Sequence, residues 1–248
     1  MLAIAGGKGG TGKTTTALGL ATALGPAPES AGGVAGGRGR GVLVVDADVD
    51  VPDLHAMAGV AREPTVLDDP GGLAVPDRSG VRVAPAPPAA ATSAFRDRLR
   101  ALATPDGESA SDRRHSRRVL VDAPCGAGPD AALPLAVADA VLLVTRPTVA
   151  AVRDTAKTAA MARALDTPIA AVAVVESATG RTTAERPSTA DRPPANRPST
   201  PNRSLSDVFD VDEVVRIPVV DDDPLADATH AASMRRLCQA VYAGQTPF

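Results

Sequence analysis

Residues 7–14 constrain this chain more than any others. Gly7-Lys8-Gly9-Gly10-Thr11-Gly12-Lys13-Thr14 follows the apolar run Leu2–Ala5 and leads into the helix-forming stretch Thr14–Leu24. A strand that passes into a helix through so many glycines can turn its backbone N–H groups inward, and the helix N-terminus adds positive potential at the same place. The spacing is GxxxxGK[ST], in the strand-then-helix context that a phosphate-binding loop requires. In such a loop Lys13 reaches the β- and γ-phosphates and the Thr14 hydroxyl binds Mg²⁺. Gly7, Lys8, Gly9, Gly10, Thr11, Gly12, Lys13, Thr14 and Thr15 are therefore the expected nucleotide contacts.

The rest of the chain supplies the sheet such a loop needs. Val42–Val45, Val81–Ala84, Val119–Val121, Ala140–Val144, Ala170–Val175 and Val214–Ile217 are aliphatic runs without strict alternation, as expected of strands covered on both faces. Helix-like stretches lie between them near Ala89–Leu102, Val149–Leu165 and Pro224–Tyr242. Strand and helix in alternation predict an α/β fold of the P-loop NTPase type, a mostly parallel twisted sheet with helices on both faces, as a single domain over residues 1–248. Aromatic residues make up only 2% of the chain, so the core must be built from Ala, Val and Leu. Three segments interrupt the pattern. Residues 25–41 and 104–118 read as loop insertions, the second with Arg113, Arg114, Arg117 and Arg118 at its end. Residues 177–203 repeat Arg-Pro-Ser-Thr and cannot bury enough apolar surface to fold, which predicts disorder.

Composition excludes several classes. No run approaches the ~20 apolar residues of a membrane span, and the start of the chain does not read as a signal peptide, so a cytoplasmic location is expected. Cys125 and Cys238 have no CxxC spacing and are read as small buried residues. The chain holds three lysines, Lys8, Lys13 and Lys157, against many arginines. Two of the three stand in the glycine loop, where a compact ammonium fits among phosphates and a guanidinium fork does not. Lys157 is read as an ordinary surface residue.

The segment Lys8-Gly9-Gly10-Thr11-Gly12-Lys13-Thr14 resembles the deviant Walker A motif of the MinD/ParA family of ATPases. The resemblance continues in order along the chain. Val119-Leu120-Val121-Asp122-Ala123-Pro124-Cys125-Gly126 is similar to the family's Walker B motif, and Asp46-Ala47-Asp48 to its DxD switch segment. Val141–Val149 is similar to its hhhVTxPxh strand end, and Ile217-Pro218 opens a segment similar to its IPxD loop near the base. The resemblance implies an ATP- and Mg²⁺-dependent ATPase. Lys8 would cross a nucleotide-dependent homodimer interface, Lys13 would bind phosphate, and Asp48 would orient the attacking water. Thr14, Asp46 and Asp122 would serve the metal, and Pro218 the base. Asp50 and Asp53 are read as plain loop and helix-cap residues. One departure is Glu176-Ser177, where family members often end the strand with an adenine-reading Asn.

These expectations describe a dimerisation switch that positions, regulates or delivers an unidentified protein partner or answers to an activator. The segment from Asp48 to His55 also resembles relatives that serve metal-cofactor or iron–sulfur assembly. A nucleotide-binding regulatory module with little hydrolysis, and an ATP-dependent metabolic enzyme, are the other classes. DNA binding through the arginines of 113–118 ranks lower. The stripe Met234, Leu237, Val241 in the last helix is expected to face the core rather than a membrane, so no stable membrane anchor is expected.

Overall fold

The computed structural model describes residues 1–25, 41–78, 80–103, 118–126, 128–176, 204–220 and 223–242. The expectations for 26–40, 104–117 and 177–203, including Arg113, Arg114 and Arg117, lie outside the described residues.

Strands β1 (Leu2–Gly6), β2 (Val42–Asp46), β3 (Leu73–Ala74), β4 (Val81–Ala84), β5 (Arg118–Asp122), β6 (Ala140–Thr145), β7 (Ile169–Val175) and β8 (Val214–Ile217) form one sheet. Their order is β3-β4-β2-β5-β1-β6-β7-β8, and every pairing is parallel except β3 with β4. Helices are α1 (Lys13–Leu24), α2 (Leu54–Met57), α3 (Thr92–Ala103), α4 (Pro129–Val137), α5 (Val149–Ala164), α6 (Leu205–Phe209) and α7 (Ala228–Val241).

Each central strand is apolar on both sides because each side meets a different layer. Leu2 and Ile4 of β1 join the cluster built by Leu18, Leu20, Met234 and Leu237 of α1 and α7. Ala3 and Ala5 point the other way, into a cluster with Leu135, Ala159, Ala162 and Phe209. Alanine on that side lets the Ala-rich α5 lie close to β1. A third cluster, Leu43, Val45, Phe95, Leu99 and Val121, closes the β2 side under α3. Helix α7 crosses α1 at Gly19, where a Cβ would sit 2.9 Å from both His230 Nε2 and Met234. Met234 and Leu237 are buried in this crossing and Val241 packs against it, as the core-facing reading of the stripe requires.

The structure refines several boundaries. Helix α7 starts at Ala228 rather than Pro224, because the Asp227 carboxylate accepts the N–H groups of Thr229 and His230, both at 2.8 Å, and caps it there. Residues 89–91 form a 3₁₀ turn ahead of α3. Helices α4 and α6 and the short strand β3 were not expected, and α2 only through the helix-cap reading of Asp53. In α4 the reason is plain: Pro134 lies inside it and argues against a helix, although Pro129 at its first position is compatible with one. Cys125 is exposed and Cys238 only partly buried, which corrects the expectation that both are buried. Arg118 is not the basic end of a loop but the first residue of β5, lying 5.6 Å from the Tyr242 ring centroid and donating to Leu24 C=O at 3.4 Å.

Strands β1, β2 and β5 end together. Asp46 pairs with Asp122, and Asp122 with Ile4, so the chain leaves these three strands at one edge of the sheet. No helix among the described residues is long and apolar enough to cross a membrane.

Candidate nucleotide site

The glycine loop lies between the end of β1 and α1. Gly12 takes the left-handed conformation (φ 93°, ψ 22°) at the N-cap of α1, a backbone state that side chains disfavour. No side chain caps the helix and its first turn holds no acidic residue, so the N–H groups there remain available to an anion. Gly7 is required for a different reason. A Cβ on it would lie 2.8 Å from Asp154 Cβ and 3.1 Å from Thr155 N.

Helix α5 therefore clamps the loop. Gly7 N–H donates to Thr155 Oγ1 at 3.3 Å, and Thr158 Oγ1 donates to Gly6 C=O at 3.1 Å. Both threonines are buried in an otherwise Ala-rich helix. The sequence reading passed over them; the signal was two hydroxyls three residues apart on the inner face. Lys8, Gly9 and Gly10 stand exposed, Lys13, Thr14 and Thr15 are half-buried, and Thr11 is buried with its hydroxyl lacking a partner among the described residues.

Acidic residues gather on the opposite side of the loop. Asp46 is fully buried at the end of β2, and its carboxylate accepts Asp48 N–H at 3.0 Å and Leu54 N–H at 3.3 Å. It thus fixes both ends of the 48–54 loop. Burial, with the Asp122 charge adding, pushes the Asp46 carboxyl up to about 8 against those two hydrogen bonds. Asp122 is likewise buried and raised to about 7 by desolvation. The Thr14 hydroxyl and Lys13 pull it down, and Asp53 and Asp48 push it further up. Its Oδ1 accepts no hydrogen bond among the described residues. Asp48 is half-buried, and its carboxylate accepts Val51 N–H at 3.0 Å. Asp50 is exposed, as a loop residue would be. Asp53 differs from expectation: it occupies the N-cap position of α2 but caps nothing, and instead accepts the Thr14 hydroxyl at 3.3 Å.

Lysine use is explained more fully in three dimensions. Asp154 of α5 lies 2.8 Å from Lys157 and 4.0 Å from Lys8, whose side chain is 86% exposed. All three lysines of the chain thus stand at or beside the glycine loop. At the other flank, Val175 of β7 lies 3.3 Å from where a Gly12 Cβ would be, and it pairs with Ile217. Pro218, directly after Ile217 and half-buried, therefore lies one strand beyond the loop. Glu176, where an adenine-reading Asn was looked for, faces Arg216 at 3.7 Å; Ser177, Asp221 and Asp222 lie outside the described residues.

The residues fit a magnesium nucleotide. A buried carboxylate oxygen and a buried hydroxyl, beside a lysine and a threonine at a helix N-terminus, find no partner among the described residues. Among the described residues no three His, Cys, Asp or Glu side chains gather as a metal cage. Mg²⁺ does not need one, since it takes one or two protein ligands and completes its shell with phosphates and water.

Comparison with known proteins gives the family and the fold. Residues 2–245 match the family model described as the CobQ/CobB/MinD/ParA nucleotide binding domain. An uncharacterised ATP-binding protein of Methanocaldococcus jannaschii is 29% identical over 177 residues, 68% of this chain. The matched region spans 61% of that protein's length. The cell division ATPase MinD of Pyrococcus furiosus superposes with a TM-score of 0.67 at 22% identity, covering 98% of each chain. The septum site-determining protein MinD of Pyrococcus horikoshii, solved with Mg-ADP, gives 0.66 at 21% identity, covering 98% of this chain and 96% of that one.

Proposed function

The chain belongs to the CobQ/CobB/MinD/ParA nucleotide-binding family, and from that premise we propose that it is a Mg-ATP-dependent dimerisation switch that hydrolyses ATP slowly until a protein partner engages it. The observation that carries this reading is a phosphate loop with two lysines of opposite disposition. Lys13 is half-buried beside Asp122, while Lys8 is almost wholly exposed and, among the described residues, held by a 4.0 Å contact to Asp154. A loop lysine this free is available to a second copy's nucleotide.

In this reading the inward N–H groups of residues 7–14 and Lys13 hold the phosphates, and Thr14 and Asp122 hold the cation. Mg²⁺, when bound, neutralises charge building on the phosphate oxygens. Asp46 keeps the 48–54 loop in place through two N–H groups, which sets where Asp48 stands. Asp48 orients a water once the loop releases it from Val51 N–H. Little covalent chemistry falls to the protein, so positioning and charge decide the rate, and a low intrinsic rate follows. Pro218 borders the base. Closure of the dimer across the two loops brings Lys8 in from the partner copy, and hydrolysis reopens it.

The test compares ATP turnover and oligomeric state of the wild type with Lys8→Ala and Asp48→Ala. Lys8→Ala is expected to stay monomeric with ATP, and Asp48→Ala to dimerise without turnover. Wild-type behaviour in both variants would overturn the mechanism. Retention of a protein by the ATP-trapped Asp48→Ala form would identify the partner.

A further inference from the structure

Within that reading, and resting on it, we propose that Asp53 is a positioning residue of the cation site: it takes the Thr14 hydroxyl proton and so leaves a Thr14 lone pair and the Asp122 carboxylate free for the metal. A threonine hydroxyl has one proton and two lone pairs. It can give a lone pair to a cation only if its proton points to another acceptor. Two carboxylates compete for that proton. Asp53 Oδ1 lies 3.3 Å from Thr14 Oγ1, and the Asp122 carboxyl is the other group on which this hydroxyl bears. One proton cannot serve both. If Asp53 accepts it, Asp122, with its buried Oδ1 unpartnered, keeps its oxygens for the cation.

A helix-cap role does not account for Asp53. Helix α2 is four residues long, and the Asp53 side chain makes no capping bond to it. Its placement comes from elsewhere. The next residue, Leu54, donates its N–H to Asp46 Oδ2, so the carboxylate that ends β2 places Asp53 over Thr14. The arrangement ties the position of the 48–54 loop to the orientation of one hydroxyl in the phosphate loop. Cation loading and loop position are then linked, as an outer-sphere partner links a metal to its surroundings.

The experiment uses the full chain and a fluorescent ADP analogue, with Mg²⁺ titrated against nucleotide binding in wild type, Asp53→Ala and Asp53→Asn. Asp53→Ala is expected to raise the Mg²⁺ midpoint about 10-fold or more, the usual cost of losing an outer-sphere partner. Its nucleotide affinity in EDTA should be unchanged or better, since a negative charge has been removed. Asp53→Asn should recover most of the loss, because its amide oxygen still accepts the hydroxyl proton. Asp53→Val, of similar size without an acceptor, replaces Asp53→Ala should that variant fail to fold. An unmoved midpoint, an equal loss in EDTA, or an Asn variant as impaired as the Ala variant would each overturn the proposal. A wild type that binds nucleotide without regard to Mg²⁺ would instead overturn the reading beneath it.

Discussion

The two flanks of the glycine loop are built on opposite terms. On the α5 side the groups that face the loop are paired: Thr155 and Thr158 hydroxyls meet the Gly7 N–H and Gly6 C=O, and Gly7 has no room for a methyl group. On the β2–β5 side, buried carboxylates face one another with raised pKa values and an oxygen left without a partner. The paired flank is complete without ligand. The acidic flank is costly without one, because burial penalises the charged carboxylates and Lys13 offsets this only in part. A scaffold therefore holds the loop still on one side, and on the proposed function the other side is where a cation and its phosphates would sit.

The largest expected effect is on function. Lys13→Ala removes the only loop lysine beside Asp122 and should lower ATP turnover by at least ~100-fold, in the range of losing one preorganised charge-stabilising group. It should leave the unfolding transition of the nucleotide-free protein almost where it was. A variant that binds and turns over ATP normally would mean that the acidic flank serves something other than phosphate.

The second effect separates the flanks by pH. Asp46 and Asp122 are raised in the folded chain above the ordinary carboxylate value of 3.8. The native state therefore holds more protons than the unfolded one between about pH 4 and pH 7–8, and stability falls as pH rises through that window. The slope from one such group approaches ~1.4 kcal/mol per pH unit at most. His230, lowered by burial, works in the opposite sense, losing stability as pH falls below the ordinary histidine value of 6.5. Thermal melts of nucleotide-free protein should thus decline from pH 6.5 to 8. Asp46→Asn should flatten that decline, and saturating Mg-ADP should lessen it by giving the carboxylates a cation.

On the paired flank the corresponding change is small. Thr158→Val deletes the donor to Gly6 C=O and should cost about 1 kcal/mol in chemical denaturation, with the pH slope of the wild type intact. A changed slope would show that the flanks are not independent.

What could be read from the sequence follows the same division. The strands, the parallel sheet and the loop were legible because aliphatic runs and glycine spacing are local signals. Helix α4 was hidden by Pro134 in its interior, and α2 and α6, at four and five residues, were too short to show a period. The acids at the ends of β2 and β5 were singled out through the resemblance of their segments to the family's DxD and Walker B motifs. Asp53 and Thr155 were not, because each acts on a residue far along the chain, Thr14 and Gly7 respectively. Cys125 was misjudged because a cysteine without CxxC spacing was read as a small buried residue, whereas it stands exposed in the turn after β5.

The smallest effect is the most discriminating. Lys157 and Lys8 both face Asp154, and neither contact is deep, since the lysine side chains are 67% and 86% exposed. Exposed ion pairs contribute little to stability. Lys157→Ala and Lys8→Ala should therefore leave denaturation midpoints indistinguishable from wild type, as like changes on one surface. On the proposed switch they should part company once ATP is present: Lys8→Ala should fail to dimerise, whereas Lys157→Ala should dimerise as the wild type does, because only Lys8 is carried by the glycine loop. Analytical ultracentrifugation of both variants with ATP reads this directly. If Lys157→Ala also fails to dimerise, the ion pair on α5, and not the loop lysine alone, sets the geometry of closure, and the clamp flank is no longer merely a support.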